Sequence, residues 1–197
     1  MTTVPRETRE RLDAYAAMLL RWNERINLIA PRDAAEFRTR HIEDSLQLLP
    51  LLPANQMPGA DLGSGGGLPG MVLALAEPGR LWNLVESDKR KSAFLQAVAG
   101  ELGARNITVH PRRIEDTTLP PLGVLTARAL APLRLLLPYA ARFLSPEGIA
   151  LFPKGKTAEA ELTEATPSWS MAVERFPSGT DPSATLLRIS GIRRAGL

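Results

Sequence analysis

The sequence predicts an α/β fold. A mostly parallel, seven-stranded sheet carries helices on both faces, finishes on an antiparallel hairpin and is preceded by an N-terminal helical cap. Three observations carry this. Five glycines fall between Gly63 and Gly70, directly after the short run to Asp61-Leu62 and directly before the apolar run 71–76. From about residue 58 onward, strand-like and helix-like runs alternate, the pattern of right-handed βαβ units. Two last strand-like runs flank Pro177-Ser178-Gly179-Thr180-Asp181-Pro182, a loop suited to a hairpin.

Residues 6–28 read as an amphipathic helix, with Leu12, Tyr15, Ala16, Leu19, Leu20, Trp22 and Ile26 recurring near helical spacing. Pro31 interrupts, Arg32-Asp33 opens a second helix, and 41–49 reads as a third. Pro50, Pro53 and Pro58 then break the chain into a loop. Residues 1–53 thus form the cap and 54–197 the sheet-bearing body, one structural unit overall. In the body, strands are expected up to Asp61-Leu62 and over 81–86, 107–110, 124–127, 149–153, 171–176 and 185–192. Helices are expected after Pro69, over 89–102 (ended by Gly103), over 132–143 and over 156–166. Pro69 suits the first helical turn, where its missing N–H costs nothing. No repeat or low-complexity tract interrupts the pattern.

Composition narrows the chemistry. With 197 residues, 44% hydrophobic and 23% charged, the chain fits one globular domain with a modest appendage. No apolar run approaches the ~20 residues of a membrane span, and a cytoplasmic protein without a signal peptide is expected. There is no cysteine, which removes disulfides, thiolate nucleophiles and thiolate metal sites. His41 and His110 are the only histidines, so no metal site is expected. Net charge is +3, and only Lys89, Lys91, Lys154 and Lys156 among the 24 basic residues are lysines. Arginine suits forked recognition of phosphate and stacking on bases.

A strand, a glycine-rich turn and a helix in that order let the backbone approach a ligand where a Cβ would clash. The helix N-terminus points its free N–H groups at whatever sits in the turn. A phosphate-cradling P-loop needs Gly-Lys-Ser/Thr, and no Lys or Arg lies between Asp61 and Gly79. Two readings of the turn remain. Gly65, Gly67 and Gly70 meet the dinucleotide fingerprint Gly-x-Gly-x-x-Gly, with Glu86 ending the next strand. Asp61-x-Gly63-x-Gly65-x-Gly67 resembles the first motif of the class I methyltransferases, which bind S-adenosylmethionine (AdoMet).

In a doubly wound sheet, ligands sit beyond the carboxyl ends of the strands at the switch point. Those ends fall at 61–67, Glu86, 113–116, 127–129 and 153–156, each polar or glycine-bearing after an apolar run. Glu86 lies 23 positions beyond Gly63, where a carboxylate can accept both ribose hydroxyls of an adenosine. Ile114 and Glu115 follow the third strand and can flank an adenine; taken alone, Glu115 reads as the start of a surface helix.

The motif series resembles that of the bacterial small-subunit ribosomal RNA guanine-N7 methyltransferases, also called glucose-inhibited division protein B. The matching segments are Trp22-Asn23-x-x-Ile26-Asn27-Leu28, Arg40-His41-Ile42-x-Asp44-Ser45, Asp61-Leu62-Gly63-Ser64-Gly65-x-Gly67-Leu68-Pro69-Gly70 and Val85-Glu86-Ser87. Further on come Arg90-Lys91-x-x-Phe94-Leu95, Arg113-Ile114-Glu115, Ala127-Arg128-Ala129 and Phe152-Pro153-Lys154-Gly155. The resemblance spans about residues 15–160. Gly66 stands where the family varies among small residues, and Pro153 where a less constrained residue such as Leu is more usual. The last 35 or so residues carry no recognised motif.

The resemblance implies a class I AdoMet-dependent fold and methyl transfer to guanine N7 in 16S ribosomal RNA, free or within the small subunit or an assembly intermediate. S-adenosylhomocysteine is then the product, and a monomer the default. Gly63, Gly65 and Gly67 would form the floor under the methionine part of the cofactor, with Leu68 closing the turn and Asp61 and Ser64 among the cofactor-binding residues. Glu86 would take the ribose, Ile114 and Glu115 the adenine. Arg128 would lie between cofactor and substrate, with Lys154 beside it. Guanine N7 has an in-plane lone pair and no proton at neutral pH, so no general base is needed and alignment carries the rate. Positive charge passes from sulfur to the base, so Arg128 and Lys154 are expected to hold phosphate, a base oxygen or the cofactor carboxylate. Arg40, His41, Asp44 and Ser45 would form a polar face over the pocket and, with Lys154, contact RNA; the plainer reading of His41 is a packed residue that orders the cap. Lys89, Arg90, Lys91, Arg105, Arg112, Arg113, Arg134 and Lys156 add a basic rim able to track phosphates. The competing classes are a nicotinamide-dependent oxidoreductase, which lacks a proton-transfer residue here, and a non-enzymatic RNA-binding assembly factor.

Overall fold

The computed structural model describes residues 3–30 and 37–196. Helix α1 (Arg6–Asn23) buries Leu12, Tyr15, Met18 and Leu19, one stripe at helical spacing. It stops five residues before the expected end because the Asn23 side chain accepts the N–H groups of Leu28 and Ile29 at 2.9 and 3.0 Å, turning the backbone out of the helix. The expected helix start at Arg32-Asp33 lies outside the described residues. The expected helix over 41–49 is shorter and more varied. A π-helical turn (Arg38–Glu43) runs into α2 (Asp44–Leu46), and a 3-10 turn (Leu49–Leu51) follows where Pro50 bars further α-helix.

The body contains β1 (Gly59–Leu62), α3 (Gly70–Ala76), β2 (Trp82–Val85), α4 (Lys89–Glu101), β3 (Ile107–His110), β4 (Leu122–Thr126), α5 (Leu133–Phe143), β5 (Leu144–Lys154), α6 (Ala158–Ala165), β6 (Trp169–Pro177) and β7 (Thr185–Arg194). The sheet order is β3-β2-β1-β4-β5-β7-β6, parallel except for the antiparallel β7. Every residue of β1, β2 and β4 is buried, as helices on both faces require. β5 begins at Leu144 rather than 149, because Leu144 already pairs with Leu122 before a register shift. Pro69 precedes α3 as its N-cap rather than sitting within its first turn.

One face of the sheet is covered by α3 and α4, with α1 packed on them, and the other by α5 and α6. The cap shares its core with the body: Leu12, Tyr15, Leu19, Ile42 and Leu46 pack in one cluster with Met71, Leu75, Phe94 and Leu95. The proline-rich loop before β1 is ordered by Arg80, which is fully buried. Its guanidinium donates to the carbonyls of Pro53, Asn55 and Met57 and pairs with Glu77 at 2.9 Å. Among the described residues, no helix is long and apolar enough to cross a membrane.

Candidate functional site

The sheet order reverses between β1 and β4, and two cavities open beyond their carboxyl ends. The first, about 600 Å³, is lined by Gly63, Gly65, Glu86, Ile114, Glu115 and Arg128, with Lys91, Arg113 and Tyr139. The second, about 790 Å³, is lined by His41, Asp44, Arg128, Lys154, Glu161 and Thr180 among others. Residues 128–131 line both and form their common wall. Ala129 holds this wall at φ 53, a left-handed conformation uncommon outside glycine.

The glycines of the turn divide their work. Gly63 and Gly65 reach the first cavity, both at positive φ. A Cβ on Gly63 would meet Leu130 Cδ1 at 2.6 Å, so the glycine lets the wall close over the turn. Gly67 (φ +94) is wedged between α3 and the cap instead: a Cβ there would meet Met71 Cβ at 2.7 Å and the Tyr15 hydroxyl at 3.3 Å. Leu68 is buried in the same core cluster. Ser64 is buried beneath the turn, where its hydroxyl donates to the Asp61 carbonyl at 2.9 Å.

Asp61 is wholly buried and does not line the cavity. It faces α3, where a Cβ on Gly70 would come within 2.5 Å of the Asp61 Cβ. Its Oδ1 accepts from the Thr126 hydroxyl at 2.7 Å. Burial pushes its carboxyl up to about 6, against the Thr126 hydrogen bond, the nearby Ser64 hydroxyl and Gly70 N–H, and the charge of Arg128. Glu86, at the end of β2, accepts from the Gly65 N–H at 2.8 Å through Oε2 and from the Asp88 N–H at 2.7 Å through Oε1. It is thereby locked against the turn, with lone pairs left for hydroxyl donors in the cavity.

Ile114 and Glu115 lie in a turn rather than at a helix start. Tyr139, from α5, donates to the Glu115 carboxylate, and that bond draws its pKa below the ordinary value. Arg128 donates through Nη1 to Asp44 Oδ2 at 3.0 Å. Lys154 is engaged internally, 2.8 Å from both the Ala131 carbonyl and Glu161. Burial alone would raise the Glu161 carboxyl, but Lys154, Thr157 and the Leu133 N–H outweigh it and hold it low. His41 and Asp44 face the second cavity. Ser45 does not join them: it is buried, its hydroxyl donating to the His41 carbonyl at 2.7 Å. Arg40 lies on the π-helical turn just before His41.

Several site residues escaped the sequence reading. Tyr15 donates to the Gly66 carbonyl at 2.6 Å, and Glu161 caps α5 through the Leu133 N–H at 2.7 Å. Their separations of 51 and 28 residues leave no local signal. Among the described residues, no group of His, Asp and Glu could hold a metal ion.

The family model for GidB, described as rRNA small subunit methyltransferase G, matches residues 8–184. The ribosomal RNA small subunit methyltransferase G of Acidiphilium cryptum is 56% identical, covering 98% of this chain and 94% of that protein. The same enzyme of Granulibacter bethesdensis is 55% identical, covering 97% and 89%. Among solved structures, a SAM-dependent methyltransferase from Aquifex aeolicus superposes with a TM-score of 0.62 at 12% identity, over 88% of this chain and 97% of that one. The ribosomal protein L11 methylase of Lactobacillus delbrueckii subsp. bulgaricus gives 0.61 at 15% identity, over 77% and 78%. These likenesses show the class I methyltransferase fold. The sequence matches show more: the chain belongs to the rRNA small subunit methyltransferase G (GidB) family.

Proposed function

We propose that the chain transfers a methyl group to N7 of a guanine in small-subunit ribosomal RNA, with the cofactor in the 600 Å³ cavity and the base entering from the 790 Å³ cavity. As a member of its family the chain is an AdoMet-dependent methyltransferase of small-subunit ribosomal RNA; the atom and the residue roles are what the proposal adds. The observation that carries them is the shared wall at 128–131, which lets two ligands meet at the end of β4.

The first cavity suits AdoMet. Gly63 and Gly65 leave backbone bare of Cβ, Glu86 offers acceptors for the ribose, and Ile114 gives an apolar surface for the adenine, with Glu115 at its rim. Asp61, Ser64, Gly67 and Leu68 build the turn from beneath rather than from the cavity. When bound, AdoMet supplies a methyl carried on a sulfonium sulfur. The chain aligns rather than deprotonates, because N7 carries no proton at neutral pH and needs no base. Arg128 reaches both cavities and orients a phosphate, a base oxygen or the cofactor carboxylate. Lys154 holds the wall by its Ala131 bond, with His41 and Asp44 on the RNA side.

The same reading places the protein in the cytoplasm as a monomer, acting on 16S RNA or a partly assembled subunit. Residues 1–53 are a cap on the 54–197 body, and the core shared by Leu12, Tyr15 and Ile42 with Met71 and Phe94 supports a single unit. Calorimetric titration with S-adenosylhomocysteine and, in parallel, NAD tests the cofactor. Micromolar binding of the first and none of the second is expected; NAD binding alone would overturn the reading. Mapping of N7-methylguanosine in small-subunit RNA from a deletion strain then tests the product.

A further inference from the structure

The loop between β6 and β7 carries no recognised motif, yet it contributes Thr180, Asp181 and Pro182 to the larger cavity. Its backbone is gathered by Ser178, whose hydroxyl accepts the N–H groups of Thr180 and Asp181, both at 3.2 Å. Gln47, just beyond α2, grips the loop with both ends of its amide. Its Oε1 accepts from the Gly179 N–H at 2.9 Å, and its Nε2 lies 3.2 Å from the Ser178 hydroxyl. The same Nε2 donates to Asp44 Oδ1 at 2.8 Å, and the Thr180 hydroxyl donates to that oxygen at 2.8 Å. The other Asp44 oxygen holds Arg128.

Two uncharged donors on Oδ1 fix the plane of the carboxylate, a torsion that is otherwise broad. The plane in turn sets the direction of Arg128, which spends one of its five N–H groups on Asp44 and makes no other hydrogen bond among the described residues. We infer that Gln47 and Thr180 are positioning residues for methyl transfer: acting through Asp44, they aim the free donors of Arg128 at the wall between the two cavities. The β6–β7 loop is thereby part of the site. This rests on the methyltransfer reading above.

The test uses the full chain with Thr180→Val, Thr180→Ser, Gln47→Met and the Thr180→Val/Gln47→Met double variant. Two readouts are taken. One is the Arg128 side-chain Nε–H resonance by NMR, assigned with Arg128→Lys. The other is kcat and KM on small-subunit RNA, alongside S-adenosylhomocysteine affinity. Thr180→Val and Gln47→Met are each expected to move the resonance and lower kcat about tenfold, with cofactor affinity changed less than about threefold. Thr180→Ser restores both readouts. The double variant loses less than the product of the single losses, since both act through one carboxylate. An unmoved resonance in folded Thr180→Val or Gln47→Met overturns the inference, as does wild-type kcat in both. If the wild-type protein binds S-adenosylhomocysteine but methylates no small-subunit RNA, the methyltransfer reading fails, and the resonance alone decides whether the brace exists.

Discussion

The Tyr15 hydroxyl donates to the Gly66 carbonyl across 2.6 Å, so the first helix of the cap holds the glycine turn from outside the cavity. Burial keeps the phenol far above its ordinary pKa, so it remains a donor at every physiological pH. Tyr15→Phe preserves the ring packing on Phe37 and Phe94 but strands a buried carbonyl. We expect a loss of about 1–3 kcal/mol in denaturant unfolding and weaker S-adenosylhomocysteine binding. Wild-type values of both would mean that the turn does not rely on the cap.

Two glycines of one motif should behave differently. Gly67→Ala places a Cβ 2.7 Å from Met71 Cβ at φ +94, and a loss of about 2–4 kcal/mol is expected. Gly65→Ala meets open space at φ +55, its nearest neighbour the Gly63 carbonyl at 3.8 Å, and costs about 1–2 kcal/mol. Because Gly65 lines the cavity, its variant should fold and lose cofactor affinity. Thermal unfolding and calorimetry on the two proteins check the order; the reverse order would refute this division.

Asp61 makes stability depend on pH in an unusual direction. Its folded pKa of about 6 lies above the ordinary 3.8, so the folded state binds the extra proton between those values. Stability from this group therefore falls as pH rises through that window, and the cost is fully present above pH 6. Asp61→Asn cannot titrate. Its unfolding free energy relative to wild type should rise by roughly 2 kcal/mol between pH 4 and pH 7. A difference that stays flat across that range would contradict the burial argument.

Lys154 separates an RNA contact from an internal brace. A lysine on a phosphate contributes about one unit to the salt slope of RNA affinity. With its ammonium on Glu161 and the Ala131 carbonyl, Lys154→Met should leave that slope unchanged while lowering turnover, because the wall loses its tether. Binding measured from low to moderate salt checks this. A shallower slope would assign Lys154 to the RNA.

Much of the fold was legible because its signals are local. Alternating apolar runs mark each strand and helix, and the glycine turn followed by Glu86 marks the end of the sheet where ligands sit. Boundaries failed where a side chain competed with the backbone, as Asn23 does at the end of α1. Within the site, the motif could not tell Gly65, on the cavity, from Gly67, under the cap. Nor could it show that Asp61 turns toward α3 and away from the cavity.

By itself the sequence determined the order of elements, the family and the strand ends that carry chemistry, since each depends on spacing along one stretch of chain. Only the tertiary structure decided which side chains meet. Tyr15 reaches Gly66 across 51 residues, Arg128 reaches Asp44 across 84, and Thr180 reaches Asp44 across 136. The physical reason is that hydrogen bonds and ion pairs act over about 3 Å in space, whereas periodicity reports only on neighbours in the chain.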